Sequence, residues 1–281
     1  MWQGPQIARL PDGRLHLQHG PIDLIIAAWG DMPEVDAAYR QAADRFGDVL
    51  DTLVRELAVL RTPVGDIFPP LCGPVARRMA CAVWPYRDAY ITPMAAVAGA
   101  VADEILEALL ADRDLAKAYV NNGGDIAFHL APGENLRTAV VANLDVPALD
   151  AIAILTADMP IRGLATSGWR GRSFSLGIAD SATVFAVSAA AADAAATMVG
   201  NAVTVDHPVI RRARASSLRD DTDLGDLLVT TAVGPLPEDA ISVALDAGAA
   251  SAYRLQTRDL IVGAALSLQG AWRLVMPSFP S

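Results

Sequence analysis

Two helical stretches of this sequence are built from small residues near their starts, and each carries an early aspartate: "GAVADEI" with Asp103 and "AAADAAAT" with Asp193. The first, about Ala95 to Ala111, is so rich in alanine and glycine that another segment is expected to pack close to its backbone. Around both stretches the order of elements repeats. "RLHLQHGPIDLIIAAWG" alternates as a β-hairpin, with Leu15 and Leu17 before the turn and Ile22, Leu24 and Ile26 after it. "PEVDAAYRQAADRFGDVLDTLVRELAVLR" then lines up Val35, Tyr39, Ala42, Phe46, Val49, Leu53, Leu57 and Leu60 on one face of an amphipathic helix. Strands are expected at "AYVNNGGDIAFHL" and "NLRTAVVANL".

The second half follows the same grammar. "AIAILTA" and "RSFSLGIADSATVFAVSA" read as strands, "AAADAAATMVGNAV" and "PEDAISVALDAGAASAYRL" as helices, and "RDLIVGAALSLQGAWRLV" as closing strands. Each half therefore reads β-β-α-α-β-β. The expected fold class is α+β, with antiparallel sheets and two related halves, about 10–145 and 150–275, forming one compact body and a single domain over 1–281.

A hydrophobic fraction of 53% over 281 residues supports a large core. A net charge of −10 argues against nucleic acid as a partner, and equally against anionic membrane surfaces. Lys117 is the only lysine, so the cationic work falls to arginine, whose planar guanidinium suits oxyanions. The N-terminal stretch lacks an apolar signal-type core. The longest apolar run is interrupted by Pro93, Asp103, Glu104 and Glu107, and a cytoplasmic protein is expected. The apolar content is compatible with a homodimer. Cys72 and Cys81 form no metal pattern and are expected to be free and buried. His16 and His19 are expected to face solvent, and the four histidines show no metal spacing.

Three segments carry candidate chemistry. In "NNGGD", Asn-Gly signals a hairpin turn. The alternative reading is that Gly123 and Gly124 admit close approach to a ligand, with Asn121, Asn122 and Asp125 supplying hydrogen bonds. In "ATSGWRGRS", Thr166, Ser167 and Gly168 read as a polar turn, and Arg170 and Arg172, two apart, would share one strand face and could hold a phosphate. The alternative is a solvated loop. In "ADAAAT", Asp193 and Thr197 stand four apart, one above the other on a helix. They could share a hard cation with phosphate oxygens and water, or be a surface aspartate and a core threonine.

Taken in that order, "NNGGDIA", "ATSGW" and "ADAAAT" resemble the ApbE-like superfamily, the FAD:protein FMN transferases once called thiamine biosynthesis lipoproteins. The resemblance covers roughly residues 10 to 270 and is strongest to a cytoplasmic branch carrying "ITPMAAVAGAVADEIL" and "ATSGWRGRSFSLGIADS" in much this form. It implies a flavin-nucleotide site, for FAD or FMN, formed by Asn122, Gly123, Gly124, Asp125, Thr166, Ser167 and Gly168. It also implies Mg²⁺ on Asp193 and Thr197. The implied reaction is attack of an acceptor protein's Ser or Thr hydroxyl on the FMN phosphorus of FAD, with AMP leaving. The superfamily's fold is similar to the T-fold, whose members hold pterins and purines. A binder or enzyme for such a heterocycle, or a non-catalytic interaction protein, are the alternatives. Three positions depart from the transferase pattern. Thr92 stands for an Asp, Ala98 and Gly99 stand where a Lys-Gly pair is usual, and "SLGIADS" replaces a His-Ile-Ile-Asp-Pro segment, with Ser175 at the His position.

Overall fold

A computed structural model of the chain describes residues 4–140 and 151–276. In chain order its elements are β1 (Gln6–Arg9), β2 (Leu15–His19), β3 (Ile22–Gly30), α1 (Met32–Phe46), α2 (Val49–Arg55), α3 (Leu57–Leu60), α4 (Pro74–Val83), α5 (Val97–Leu110), β4 (Leu115–Asn122) and β5 (Asp125–Leu130). There follow β6 (Asn135–Val140), β7 (Ala151–Thr156), β8 (Gly163–Ser167), β9 (Ser181–Ala186), α6 (Ala189–Ala202), β10 (Ile210–Arg214), α7 (Ala215–Leu218), β11 (Leu228–Val233), α8 (Glu238–Gln256), β12 (Gly263–Leu268) and β13 (Ala271–Val275). The fold class is α+β with antiparallel strand pairing, as the sequence pattern implies. The last residues of the "NLRTAVVANL" strand expectation, 141–144, lie outside the described residues.

The chain divides into two compact units that are not contiguous in sequence. The first runs up to Leu136 and adds Ile154–Leu164 and Val187–Asp193; the second holds the remainder. In the first unit the strands follow the order β1-β2-β3-β4-β5, and Ile126 and Ala127 of β5 pair with Leu164 and Gly163 at the start of β8. Leu24, Ile26, Ala118, Val120 and Ala127 share one buried sheet face, and α1 and α5 cover it with Val35, Ala38, Ala42, Val101 and Ile105. In the second unit β9, β12 and β13 are neighbours, and α8 packs on β12 and β13. Gly248 of α8 brings that helix onto Leu266 and Val203; a Cβ there would lie 2.3 Å from Val203 Cγ2. In each unit the last strand before the helices, β3 or β9, lies beside the first strand after them, β4 or β12.

The long amphipathic helix is in fact three. α1 starts at a Pro-bearing first turn and buries Val35, Ala38, Tyr39, Ala42 and Phe46, but it stops at Gly47. Glycine propagates a helix poorly. A second break falls at Glu56, whose carboxylate leaves the helix surface to accept the amides of Cys72 at 2.6 Å and Gly73 at 3.0 Å. The apolar period carries across both breaks because α2 and α3 still bury Val49, Leu50, Leu53 and Leu60.

Two residue expectations are overturned. His19 is buried, only 4% exposed, where it meets Phe46 edge-on. It is the inward-facing partner in the alternation of β2, on the face of Leu15 and Leu17. Cys72 and Cys81 are free but exposed, Cys72 in the loop before α4 and Cys81 on the outer side of α4, opposite Val75, Met79 and Val83.

Candidate functional site

The "NNGGD" segment is a two-residue hairpin turn. Asn122 ends β4, Asp125 begins β5, and the two are register partners. Gly123 and Gly124 adopt φ values of +65° and +113°, so the turn draws on the left-handed freedom of glycine. Asn121 Oδ1 accepts from the Gly124 amide at 2.9 Å and locks the turn from within. Asn122 does something else. It is 9% exposed, and its Nδ2 donates to the carbonyl of Ala98 at 3.1 Å. The hairpin is thereby fastened to the N-terminal turn of α5.

That turn also meets α6. The Gly99 amide donates to Asp193 Oδ2 at 3.0 Å. Gly99 has no room for a side chain, since a Cβ would lie 2.2 Å from the Ala189 carbonyl oxygen. This is the close backbone approach that the Ala/Gly-rich start of the helix implies. Gly163 of β8 presses on the same residue, with a Cβ position 2.1 Å from the Ala189 nitrogen. From α5, Asp103 reaches the start of α6 and accepts from the Ala189 and Ala190 amides at 2.9 Å each.

The electrostatics follow from this packing. Burial pushes the Asp193 carboxyl well above its ordinary range, and the like charge of Asp125 adds to the shift; the Gly99 and Ala98 amides pull the other way, and Asp103 pushes up slightly. Burial likewise raises Asp103, against the hydrogen bonds from Ala190 and Ala189 and the nearby Arg78 charge. The first unit therefore gathers the hairpin's Asp125, Asn122, the Ala98–Gly99 backbone and Asp193 around one point.

Thr197 lies one turn beyond Asp193 on α6, half-buried. Asp193 and Thr197 would offer one carboxylate and one hydroxyl to a hard cation, and among the described residues no three His, Cys, Asp or Glu side chains converge on one point. Mg²⁺ is held in that manner, by one or two carboxylates with water and phosphate completing the shell.

In the second unit Thr166 and Ser167 close β8 and are not part of a turn. Thr166 Oγ1 lies 2.9 Å from Thr183 Oγ1. Ser167 faces α6, where a Cβ on Gly200 would stand 3.5 Å from its Oγ. Gly168 crosses the Asp180 backbone so closely that a Cβ would fall 2.5 Å from the Asp180 carbonyl. Arg170 and Arg172 do not share a strand face. The chain turns at Gly168–Gly171, where the Gly171 amide returns to the Gly168 carbonyl at 3.0 Å, and the segment stays irregular up to β9. Both residues are exposed; Arg170 stacks over Trp169 and pairs with Asp180 at 3.3 Å. Two glycines in four residues explain the loss of the strand.

Asp180 is a residue that motif reading passed over. It is 5% exposed and accepts from Trp169 Nε1 at 3.2 Å, from Arg170 Nε at 3.3 Å and from the Gln269 amide at 2.6 Å. Its only signal in the sequence is an aspartate in an otherwise apolar "GIADS" run. Ser175 is structural: buried, it donates to Asn201 Oδ1 at 3.2 Å and accepts from the Gly177 amide at 3.2 Å.

The family model described as AbpE bacteria matches residues 7–274. The chain belongs to this family. With it, the chain is a member of the ApbE-like superfamily. Its relatives include UPF0280 proteins from archaea. That of Methanothrix thermoacetophila is 38% identical over 133 residues, 47% of this chain and 54% of the relative. That of Archaeoglobus fulgidus is 39% identical over 133 residues, covering 47% and 51%, and that of Methanopyrus kandleri 36% identical over 164 residues, covering 57% and 61%. The chain spans about half the length of the curated relatives it matches. Among solved structures it is similar to the apo form of Pseudomonas stutzeri flavinyl transferase ApbE, with a TM-score of 0.49 and 14% identity over 97% of this chain and 94% of that one. Among the described residues of this AbpE-family chain, no helix is long and apolar enough to cross a membrane.

Proposed function

We propose that this chain binds a flavin nucleotide, FAD or FMN, together with Mg²⁺ at the first turns of α6, as a divergent FMN transferase of its superfamily. The observation that carries the reading is the Asp193 carboxylate. One oxygen is held by the Gly99 amide, and burial, with the like charge of Asp125 from the glycine hairpin, raises its pKa well above the ordinary value. Asp193, with Thr197 on the same helix, would hold the cation. When bound, Mg²⁺ supplies charge neutralisation at phosphate oxygens. The Gly99 amide fixes Asp193 Oδ2, and with it the direction of the carboxylate that would coordinate the cation. Asn122 holds the hairpin, with its two glycines, against α5, so that the turn's open side admits a ligand without a side chain in the way.

A second reading has its own support. Ala98 occupies the position where the transferase pattern carries lysine, and Ser175, at the His position, is consumed by Asn201 and Gly177. Loss of those groups argues against FMN transfer and leaves binding without transfer, of a flavin or of another planar heterocycle of pterin or purine type.

The test is the purified full chain. A flavin absorption spectrum, or a rise in melting temperature with FAD that requires Mg²⁺ and vanishes in Asp193→Ala, is expected. An equal nucleotide-induced shift in wild type and Asp193→Ala would overturn the cation role. Co-purification of a pterin or purine in place of a flavin would select the second reading.

A further inference from the structure

We infer that Asp103 is a positioning residue for Asp193, acting through the first turn of α6. The inference rests on the reading of Asp193 as the cation-holding group.

The geometry has three parts. Asp103 takes both first-turn amides of α6, one on each carboxylate oxygen: Ala189 on Oδ1 and Ala190 on Oδ2, each at 2.9 Å. Ala189 is also wedged between two side-chain-free backbones, Gly99 of α5 and Gly163 of β8, so it has no room to slide toward either. Finally, Ser188 Oγ accepts from the Ala191 amide at 3.2 Å and hydrogen-bonds Asp103, tying the preceding residue into the same cap. The start of α6 is thus fixed in position and in rotation about its axis. Asp193 follows Ala189 by one helical turn, so its direction is set there. All the contacts lie within the first unit.

The arrangement is reciprocal. Asp193 accepts from Gly99, four residues before Asp103 on α5, and Asp103 accepts from Ala189, four residues before Asp193 on α6. Releasing one cap loosens the helix that carries the other carboxylate. A group that orients a metal ligand in this way is typically worth about 10–100-fold in metal affinity.

The experiment uses the full-length Asp103→Asn variant, which keeps the side chain's size but offers one acceptor oxygen in place of two. Amide hydrogen exchange reads the positioning directly. Ala189, Ala190 and, at a distance, Gly99 are expected to exchange at least about tenfold faster, while Leu106 and Leu109 deep in α5 keep wild-type protection. Mn²⁺ alone, titrated by loss of the free-ion spin-resonance signal, is expected to bind about tenfold more weakly than to wild type. Ile105→Val, a core change on the same helix, is expected to lower stability without moving either readout. Unchanged Gly99 exchange in Asp103→Asn, or unchanged Mn²⁺ affinity where wild type binds the ion, would overturn the positioning role. If Gly99 protection is lost while wild type and Asp193→Ala bind Mn²⁺ equally or not at all, Asp103 still positions Asp193 and the cation reading is what fails. Should Asp103→Asn not fold, Ser188→Ala weakens the same cap more mildly. There, faster Ala191 exchange with unchanged Gly99 exchange would equally overturn the inference.

Discussion

Asp103 and Asp193 each hold the other's helix. Asp103 of α5 accepts from Ala189 and Ala190 at 2.9 Å, and Asp193 of α6 accepts from Gly99 at 3.0 Å. Both carboxylates satisfy amides that a helix start leaves without an intrahelical partner. Both are desolvated in doing so, and for both the carboxyl is shifted upward with burial as the largest cause. The crossing is built for rigidity at the expense of easy ionisation.

Gly163→Ala tests the crossing from the sheet side. The new Cβ would sit 2.1 Å from the Ala189 nitrogen, against backbone that has no rotamer to yield. Overpacking of this kind costs about 1–3 kcal/mol or more. A lower urea midpoint with an unchanged slope is expected. A stability within a few tenths of a kcal/mol of wild type would show that α6 can shift.

The pH dependence of Asp193 has an unusual sign. Its folded-state pKa is raised above the ordinary 3.8, so its contribution to stability is fully present below that value. The contribution is lost as pH rises through the folded value. Asp193→Asn keeps an acceptor for the Gly99 amide and carries no charge. Relative to wild type it is expected to gain stability as pH rises from strong acid to neutral, measured by urea unfolding without added metal. Cation binding has the opposite demand, because the ligand must be ionised. Apparent Mg²⁺ affinity of wild type is expected to fall as pH drops through the raised pKa. A pH-independent difference between the two proteins would contradict the shift.

Asp180→Ala would strip three donors of their acceptor at once: Trp169 Nε1, Arg170 Nε and the Gln269 amide. The three bonds are part-buried, so water can take over some of them, and a loss of about 1–3 kcal/mol in all is expected. Trp169 fluorescence should shift with it, since its ring would no longer be tethered. Wild-type stability in this variant would mean that water replaces the carboxylate without penalty.

Gly124→Val separates turn from ligand contact. There is open space around the missing Cβ, but φ is +113°, a conformation that a β-branched residue resists. Destabilisation by about 1–3 kcal/mol is expected from backbone strain alone. Gly123→Asn is the cleaner probe, because asparagine tolerates the left-handed φ of +65° found there. It is expected to keep the fold and to weaken nucleotide binding. Unchanged nucleotide affinity in Gly123→Asn would remove the turn from the site.

Much of the architecture is legible in residue patterns. Alternation located β2 and β3, and small-residue composition located α5 and α6, because local periodicity and local sterics act over a few residues. The breaks at Gly47 and Glu56 were hidden, since the apolar period runs through them and Glu56 is drawn out by amides 16 and 17 residues away. The burial of His19 is hidden for a related reason: residue type puts a polar ring outside, but its register with Leu15 and Leu17 in β2 turns it inward. The arginines after Gly168 failed as a strand face because glycine-bounded turns overrode alternation.

The candidate site divides the same way. Sequence alone signalled a turn at Asn122-Gly123, an α5 start small enough to admit a close neighbour, and an early aspartate, Asp103 or Asp193, in each of two small-residue helices. Each of these is a property of consecutive residues. Only the tertiary structure decided that the close neighbour of Gly99 is Ala189, that Asn122 reaches Ala98, and that the two aspartates exchange helix caps. Those contacts join residues 24 to 94 positions apart, where no local rule reaches; close backbone packing, which needs glycine and alanine on both sides, brings them together.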